Sequence, residues 1–552
     1  AAAEHLFFSE KETAALREQI HFLQNFLAAE ESMLEQSAGH FTTLDLESIN
    51  SRLVMLKDIL WALDKDILNN IGRIASLAGN RHGNGVSREA FRKYRKLNYL
   101  LNCLDRLEVR GRDSAGIQIS FTLADEQAFE NAVAFLRTNS LYDEFLRRIQ
   151  PGDWLNGSIG ISFKKREEKK ESRGETTITF TYKTSAIIGE LGRNVRELRE
   201  GIAGDALFHE FARLETGFET AFAHTRWASV GSITDDNCHP VNNFTLTSKT
   251  DLSHGELPAA CRDYPCYGKG NWLISVVLNG DIDNYAALRT ALEAEREVIP
   301  REVTTDTKII PLQIEKYLLS GHDLQEAFRL AVSDFEGSHA IAMVSNLAPE
   351  KVFLALKGSG QTIYVGIAPD SYIFASELYG LVEGTSRFVK MDGEKTPLES
   401  EDSEGEKTGQ IFILDENGAG GISGISAFFY DGTPLMLTDR QVQQAEITTR
   451  DIDRGTYPHY FLKEITESAL SVRKTLRGRY RISEDAGGKK QVTFNLGSDV
   501  LPEKLKTDIR EGTIRRILVV GHGTAAVAGS AVADALERYL KDAPLTVEAR
   551  IA

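Results

Sequence analysis

The 552-residue sequence predicts an α+β protein made of three stretches of different character. The first ninety residues carry helical periodicity. The middle mixes helices with short apolar strands, and the end reads as a strand, a glycine turn and a helix. A chain of this length exceeds what one core holds, so two to four domains are expected. Hydrophobic residues at 42% and charged residues at 26% are ordinary for a soluble globular protein. A net charge of −16 argues against nucleic acid or an anionic membrane as the main partner. The longest apolar runs, such as Trp272 to Leu278, are too short to span a membrane and read as buried strands. Residues 1–30 contain no apolar core of the kind a signal peptide needs. Four cysteines, at 103, 238, 261 and 266, are too few for a disulfide framework, and a cytoplasmic location is expected. Cys261 and Cys266 read as two free thiols on a loop, and neither a metal nor a cofactor is expected.

In chain order, Ser9 with Glu12 forms a capping-box pattern, and Leu16, Ile20, Leu23 and Leu27 follow at helical spacing. Ile49, Leu53, Leu56, Leu60, Leu63 and Ile67 then alternate by four and three, the seam of a coiled coil. These segments predict a helical hairpin over 1–92, its stripe docked on the main domain or used as a partner surface. A further helix (Leu97, Leu100, Leu101, Leu104, Leu107) runs into Arg110-Gly111-Arg112-Asp113-Ser114-Ala115-Gly116 and a strand. A generic helix-to-strand junction needs one glycine, and this one has two. Ser158–Phe163 and Thr176–Tyr182 predict a β-hairpin with the charged run 164–173 at its tip.

The candidate site begins at Ala223-His224-Thr225-Arg226-Trp227-Ala228-Ser229-Val230-Gly231 with Asn237-Cys238-His239-Pro240. A guanidinium can fork a carboxylate and an indole can close over a ligand, although the same pair at a strand end also serves for packing. Trp272–Leu278 predicts a buried strand ending in Asn279-Gly280, either a tight turn or an amide and a backbone N–H aimed at one point, as an oxyanion requires. Thr305-Asp306-Thr307 precedes a helix, where Asp306 reads as a cap that could also face a ligand ammonium.

These motifs, with Asn284-Tyr285, Phe374-Ala375-Ser376, Tyr457-x-His459, Lys463-Glu464-Ile465 and Gly521-x-Gly523-Thr524, stand in the order found in class II glutamine amidotransferases. Together they resemble the glucosamine-6-phosphate synthase family over about two-thirds of the chain. The resemblance implies an N-terminal-nucleophile hydrolase αββα sandwich that hydrolyses glutamine and passes ammonia to a ketose phosphate such as fructose 6-phosphate. It implies that Arg226, Trp227, Ser229, Asp306 and Arg110 surround glutamine, and that Asn279 and Gly280 form the oxyanion hole. The family's nucleophile is an N-terminal cysteine with its own amine as base. The sequence departs from that pattern in three ways. It begins Ala1-Ala2-Ala3, Val230 stands beside Gly231 in place of a histidine, and Leu278 replaces a histidine before Asn279. Either a preceding piece carries the cysteine or the glutaminase site is inert.

At the end, a strand over 514–520 leads into Gly521-His522-Gly523-Thr524 and a helix. Such a turn cradles phosphate with backbone N–H groups, and it also meets a loose dinucleotide pattern. By resemblance it opens a sugar isomerase domain, with Gly523 and Thr524 on the sugar phosphate. The expected organisation is a helical hairpin over 1–92, a glutamine amidotransferase domain over 93–450, a linker over 451–511, and the first βα unit of a sugar isomerase domain over 512–552. The expected partners are glutamine and a sugar phosphate, without nucleic acid or membrane, in a homo-oligomer. The alternative is a catalytically silent relative that senses glutamine or a sugar phosphate or acts as an assembly scaffold.

Overall fold

The computed structural model describes residues 2–37, 43–81, 83–109, 111–124, 126–149, 158–164, 175–185, 190–245, 272–295, 297–395, 408–476, 480–484, 487–494 and 501–551, together with Phe41. Arg110, Cys261 and Cys266, and the charged run 165–173, lie outside these residues. The chain divides into one compact unit of Ala1–Ile20 with Trp61–Tyr460 and a second of His21–Leu60 with Phe461–Ala552.

The first unit opens with helix α1 (Ala2–Phe7) and the start of α2 (Glu10–Ser37). Helix α3 (Thr43–Trp61) belongs to the second unit up to Leu60; from Trp61 the first unit resumes with a π-helical stretch, Ala62–Asn69, and then α4 (Asn70–Leu77). The predicted seam is shared between the two units: Ile49 and Leu53 pack with Leu34 and Leu46 in the second, whereas Leu63 and Ile67, in the π-helical stretch, pack on the main core of the first. Helix α5 (Arg88–Leu107) starts at Ser87, whose hydroxyl accepts from the Ala90 N–H, and buries Phe91, Tyr94, Leu97, Leu101 and Leu104 along one face.

A four-stranded antiparallel sheet follows, in the order β2-β3-β1-β4, built from β1 (Ser114–Leu123), β2 (Ile159–Lys164), β3 (Glu175–Thr184) and β4 (Thr216–Arg226). Ile117, Ile119 and Phe121 alternate toward a core with α5, α6 (Glu126–Thr138), α7 (Tyr142–Arg148), α8 (Arg193–Ala203) and α9 (Ala206–Ala212). On the opposite face Gln118, Ser120 and Thr122 stand directly across from Thr181, Thr179 and Thr177. Their side chains bond across the strands at 3.2, 2.8 and 3.0 Å.

The six-stranded sheet has the order β13-β12-β8-β7-β6-β5, with β5 (Val241–Asn242), β6 (Ile274–Gly280), β7 (His339–Ser345), β8 (Lys351–Lys357), β12 (Gln410–Asp415) and β13 (Ile425–Phe429). Alternation here is strict. Ile274, Val276, Leu278, Ile341, Met343, Phe353, Ile411 and Ile413 face a core that holds residues of α11 (Ile309–Leu319) and α12 (Leu324–Ser333), with α10 (Tyr285–Ala294) contributing Leu292. Val277, Ala340, Ala342, Leu354, Phe412 and Leu414 face the other way. There they meet a small sheet, β10-β9-β11-β14, made of β9 (Tyr364–Ile367), β10 (Tyr372–Ala375), β11 (Arg387–Lys390) and β14 (Gln443–Gln444), and also Phe222 of β4. The result is helices and sheets in layers around three apolar cores.

In the second unit, α13 (Tyr460–Thr475) precedes a hairpin of β15 (Tyr480–Glu484) and β16 (Lys490–Phe494), and then α14 (Glu503–Arg510). Strands β17 (Arg516–Gly521) and β18 (Thr546–Ile551) pair in parallel, with α15 (Thr524–Tyr539) as the crossover. No helix of the described residues is long and apolar enough to cross a membrane.

Candidate active site

The ends of β4 and β6 and the segment 305–307 converge on one cavity of about 1700 Å³ in the first unit. Arg226, Trp227, Ser229, Asn279, Gly280 and Asp306 all line it. Every described residue that the sequence assigned to glutamine is therefore in one place. Trp227 is 75% exposed, Arg226 is buried, and Asn279 stands exposed at the strand end.

Two glycines fix the approach to the site. A Cβ on Gly111 would lie 2.8 Å from the carbonyl carbon of Arg226, and one on Gly116 would lie 2.1 Å from the carbonyl oxygen of His239. These contacts account for the second glycine at the helix-to-strand junction. Asp113 then clamps the strand end: its N–H donates to the Arg226 carbonyl at 3.1 Å, and its carboxylate accepts from the Ala228 N–H at 2.8 Å.

The guanidinium of Arg226 donates through Nη1 to the Ser232 carbonyl at 3.1 Å and through Nη2 to the Val230 carbonyl. It therefore shapes the 230–232 turn, where Gly231 takes φ +88°, and its Nε–H and remaining Nη protons are left for a ligand. Burial draws its pKa down, only partly offset by Asp306 and Asp113. Ser229 donates to Asp281 at 2.6 Å, closing the rim between the two strand ends.

Asp306 does not cap α11 with its side chain. Its carboxylate accepts from the N–H of Ile282, just past β6, at 2.9 Å, and from the hydroxyls of Thr305 and Thr307 at 3.3 Å. Burial raises its pKa, and the nearby Asp281 adds to that rise. Within the described residues Asp306 is in no ion pair, so this buried carboxylate is poised for a cation.

Gly280 turns at φ +97°, where a Cβ would lie 2.2 Å from the Ser338 carbonyl oxygen. Only glycine fits, and the Asn279 amide makes no hydrogen bond to a described residue.

Two residues that the sequence reading left without a role hold the site together. Asn237, fully buried, accepts the N–H groups of Thr304 at 2.7 Å and Thr305 at 2.8 Å on one oxygen. Its amide nitrogen reaches Ser232 and Thr234 hydroxyls at 2.9 Å and the Glu302 carbonyl at 3.1 Å. His239 accepts from the Leu278 N–H on Nδ1 at 3.4 Å, which places its proton on Nε2, 2.8 Å from the Thr307 hydroxyl. His224 lies against it, with ring centroids 4.4 Å apart and ring planes tilted by 38°. Burial holds both imidazoles neutral, pulling His224 down to about 4 and His239 well below its ordinary range. The polar run Asn237-Cys238-His239-Pro240 was the available signal, but a buried asparagine serving a segment sixty-seven residues away has no spacing signature.

Neither described cysteine is an activated thiol. Cys103 is buried and pushed up to about 11, its Sγ 3.0 Å from the Gly380 carbonyl, and burial raises Cys238 as well. In the second unit, Gly523 (φ +58°) precedes Thr524 at the start of α15. A Cβ on Gly521 would meet the Ala525 carbonyl at 2.9 Å, so that glycine lets the strand abut the helix start.

Residues 263–383 match the family GATase_7, a glutamine amidotransferase domain. The chain is 31% identical over 261 residues to a glutamine–fructose-6-phosphate aminotransferase of Methanothermobacter thermautotrophicus, covering 46% of this chain and 34% of that protein. It is 27% identical over 380 residues to the enzyme of the same name from Sulfolobus acidocaldarius, covering 68% of this chain and 52% of that one. The chain thus spans between a third and about half the length of these relatives. Among solved structures, a glutamine phosphoribosylpyrophosphate amidotransferase from B. subtilis aligns over 57% of this chain and 49% of its own. Its sequence identity is 16% and its TM-score 0.31. In sequence, the chain resembles class II glutamine amidotransferases, and among them the glutamine–fructose-6-phosphate aminotransferases.

Proposed function

We propose that the cavity at the ends of β4 and β6 binds glutamine and that the intact protein transfers its amide nitrogen to a ketose phosphate. One observation carries this reading. A buried cation, a buried carboxylate in no ion pair and an amide beside a glycine turn all face one space. A zwitterionic amide needs that set: Arg226 for the α-carboxylate, Asp306 for the α-ammonium, and Asn279 with Gly280 for the oxygen that becomes negative on attack. Ser229 and Trp227 close the rim, and Arg110 is assigned to the site by resemblance alone. Water converts the amide to glutamate and ammonia, and the ammonia is the nitrogen passed on.

The reading needs a nucleophile from outside the described residues, because Cys103 and Cys238 are buried, protonated thiols. The cavity suits its delivery on an extended segment. β4 and β10 are both sheet edges, and both line this space beneath α5. A strand pairing there would satisfy their free backbone groups beside Asn279.

The acceptor is proposed to be fructose 6-phosphate or a similar sugar phosphate, with the phosphate at the Gly523–Thr524 turn. Val230 and Leu278, standing where the family carries histidines, favour the second reading, a silent sensor. The deciding experiment measures glutamate release by the full-length protein, with and without fructose 6-phosphate. Turnover that Arg226→Ala removes supports the enzyme; glutamine binding without turnover selects the sensor.

A further inference from the structure

On the outer side of the first unit, helices α4, α5 and α8 meet around a set of side chains that the glutamine reading does not use. Arg73 of α4 donates through Nη1 to Oδ1 of Asn102 at 2.7 Å. Arg199 of α8 donates through Nη2 to the same oxygen at 2.7 Å, and through Nη1 to Oδ1 of Asn98 at 2.9 Å. Two guanidiniums therefore converge on one neutral oxygen.

Neither has a carboxylate in contact among the described residues. Glu383, the carboxylate on the inner side of the cluster, already serves Arg106 at 2.8 Å and the amides of Asn70 and Asn102. Asp105 and Glu383 attract Arg199 only from farther off, and its pKa falls to about 10 through burial and then through the charge of Arg73. Beneath the arginines, Asn98 and Asn102 both donate to Oδ1 of Asn70, at 3.0 and 2.8 Å. The floor is thus buried, satisfied and fixed, while Arg73 is exposed and Arg199 is half-buried.

We propose that Arg73 and Arg199 form a binding notch for a phosphate-type oxyanion, either inorganic phosphate or a phosphomonoester. Two cations held close together without a carboxylate in contact are relieved by an anion placed between them. Two planar forks arriving from different helices offer more donors than the two oxygens of a carboxylate can accept, and a tetrahedral phosphate matches them better. The notch is independent of the glutamine reading. It shares Asn102 with Glu383, which lines the large cavity, so its floor is continuous with the wall of that space.

The test is calorimetric titration of inorganic phosphate into the full chain, with ionic strength held constant by sodium chloride. It is done in a Thr524→Asp background, which repels phosphate from the second unit's turn. Saturable binding is expected, weakened at least tenfold by Arg73→Gln and by Arg199→Gln and partly restored by Arg199→Lys. Arg73 is exposed and among the described residues bonds to Asn102 alone, so Arg73→Gln reads out the notch without disturbing the core. No saturable binding in that background, unchanged affinity in Arg73→Gln, or equal affinity for acetate would each overturn the assignment.

Discussion

The Nε2 atom of His239 lies 2.8 Å from the hydroxyl of Thr307, and that hydroxyl lies 3.3 Å from the carboxylate of Asp306. A backbone N–H at the end of β6 is therefore connected, through one imidazole and one hydroxyl, to the proposed ammonium-binding group. His239→Ala is expected to raise the glutamine KM by tenfold or more with a smaller change in kcat, since it loosens Asp306 without touching the reacting amide. Steady-state glutaminase kinetics of the full-length protein would show the split.

Asp306→Asn should separate binding from folding. The amide oxygen still accepts the Ile282 N–H, and above neutral pH the relief of a buried carboxylate offsets the loss of the oxygen that accepts the Thr305 and Thr307 hydroxyls. Unfolding midpoints should hold or rise slightly, while glutamine affinity falls by about two orders of magnitude, as expected for losing a charge-assisted contact. A glutamine affinity left intact would remove Asp306 from the site.

Asn237→Ala should be among the costliest single changes. It leaves the buried N–H groups of Thr304 and Thr305 without acceptors and frees Ser232 from its partner. A loss of roughly 2–4 kcal/mol is expected, read as a lower urea midpoint. Gly116→Ala should cost a similar amount, because its methyl would lie 2.1 Å from the His239 carbonyl oxygen.

Acid should weaken the first unit through its histidines. The His224 pKa falls from 6.5 to about 4 on folding, so between those values the unfolded chain binds the extra proton. Stability therefore rises with pH across that window and is complete above 6.5, with this residue contributing on the order of 3 kcal/mol. Asp66 works in the opposite sense. Its carboxyl is raised from 3.8 to about 6, chiefly by burial, so it lowers stability as pH climbs through 6. Asp66→Asn keeps an acceptor for the Thr449 hydroxyl, which bonds it at 2.7 Å, and should stabilise the protein at pH 8 but not at pH 4. Thermal melts of both forms across pH 4–8 would show it.

The sequence carried the site's charges better than its supports. Arg226, Asp306 and Asn279-Gly280 were legible because their residue types announce a chemistry. The strands of the six-stranded sheet were legible because each buries alternate residues on two apolar faces. Asn237 and His239 were not, since their role comes from which backbone groups happen to lie opposite them. The seam from Ile49 to Ile67 reads as one stripe, yet Ile49 and Leu53 pack with Leu34 and Leu46 while Leu63 and Ile67 pack on the main core. Asn70, Asn98 and Asn102 sit among the leucine periodicity of α4 and α5 and read there as ordinary polar positions.

The paired hydroxyls and amides across β1 and β3 have a consequence for fidelity of assembly. A slip of one residue between these strands would turn Thr177, Thr179 and Thr181 toward Phe208 and Phe211 and strand their hydroxyls in hydrocarbon. A slip of β1 itself would carry Gly116 away from the His239 carbonyl and set a side chain against it. Misalignment is thus rejected on both β3 and β1, which leaves the strand that follows Asp113 and the strand ending at Arg226 a single way to meet.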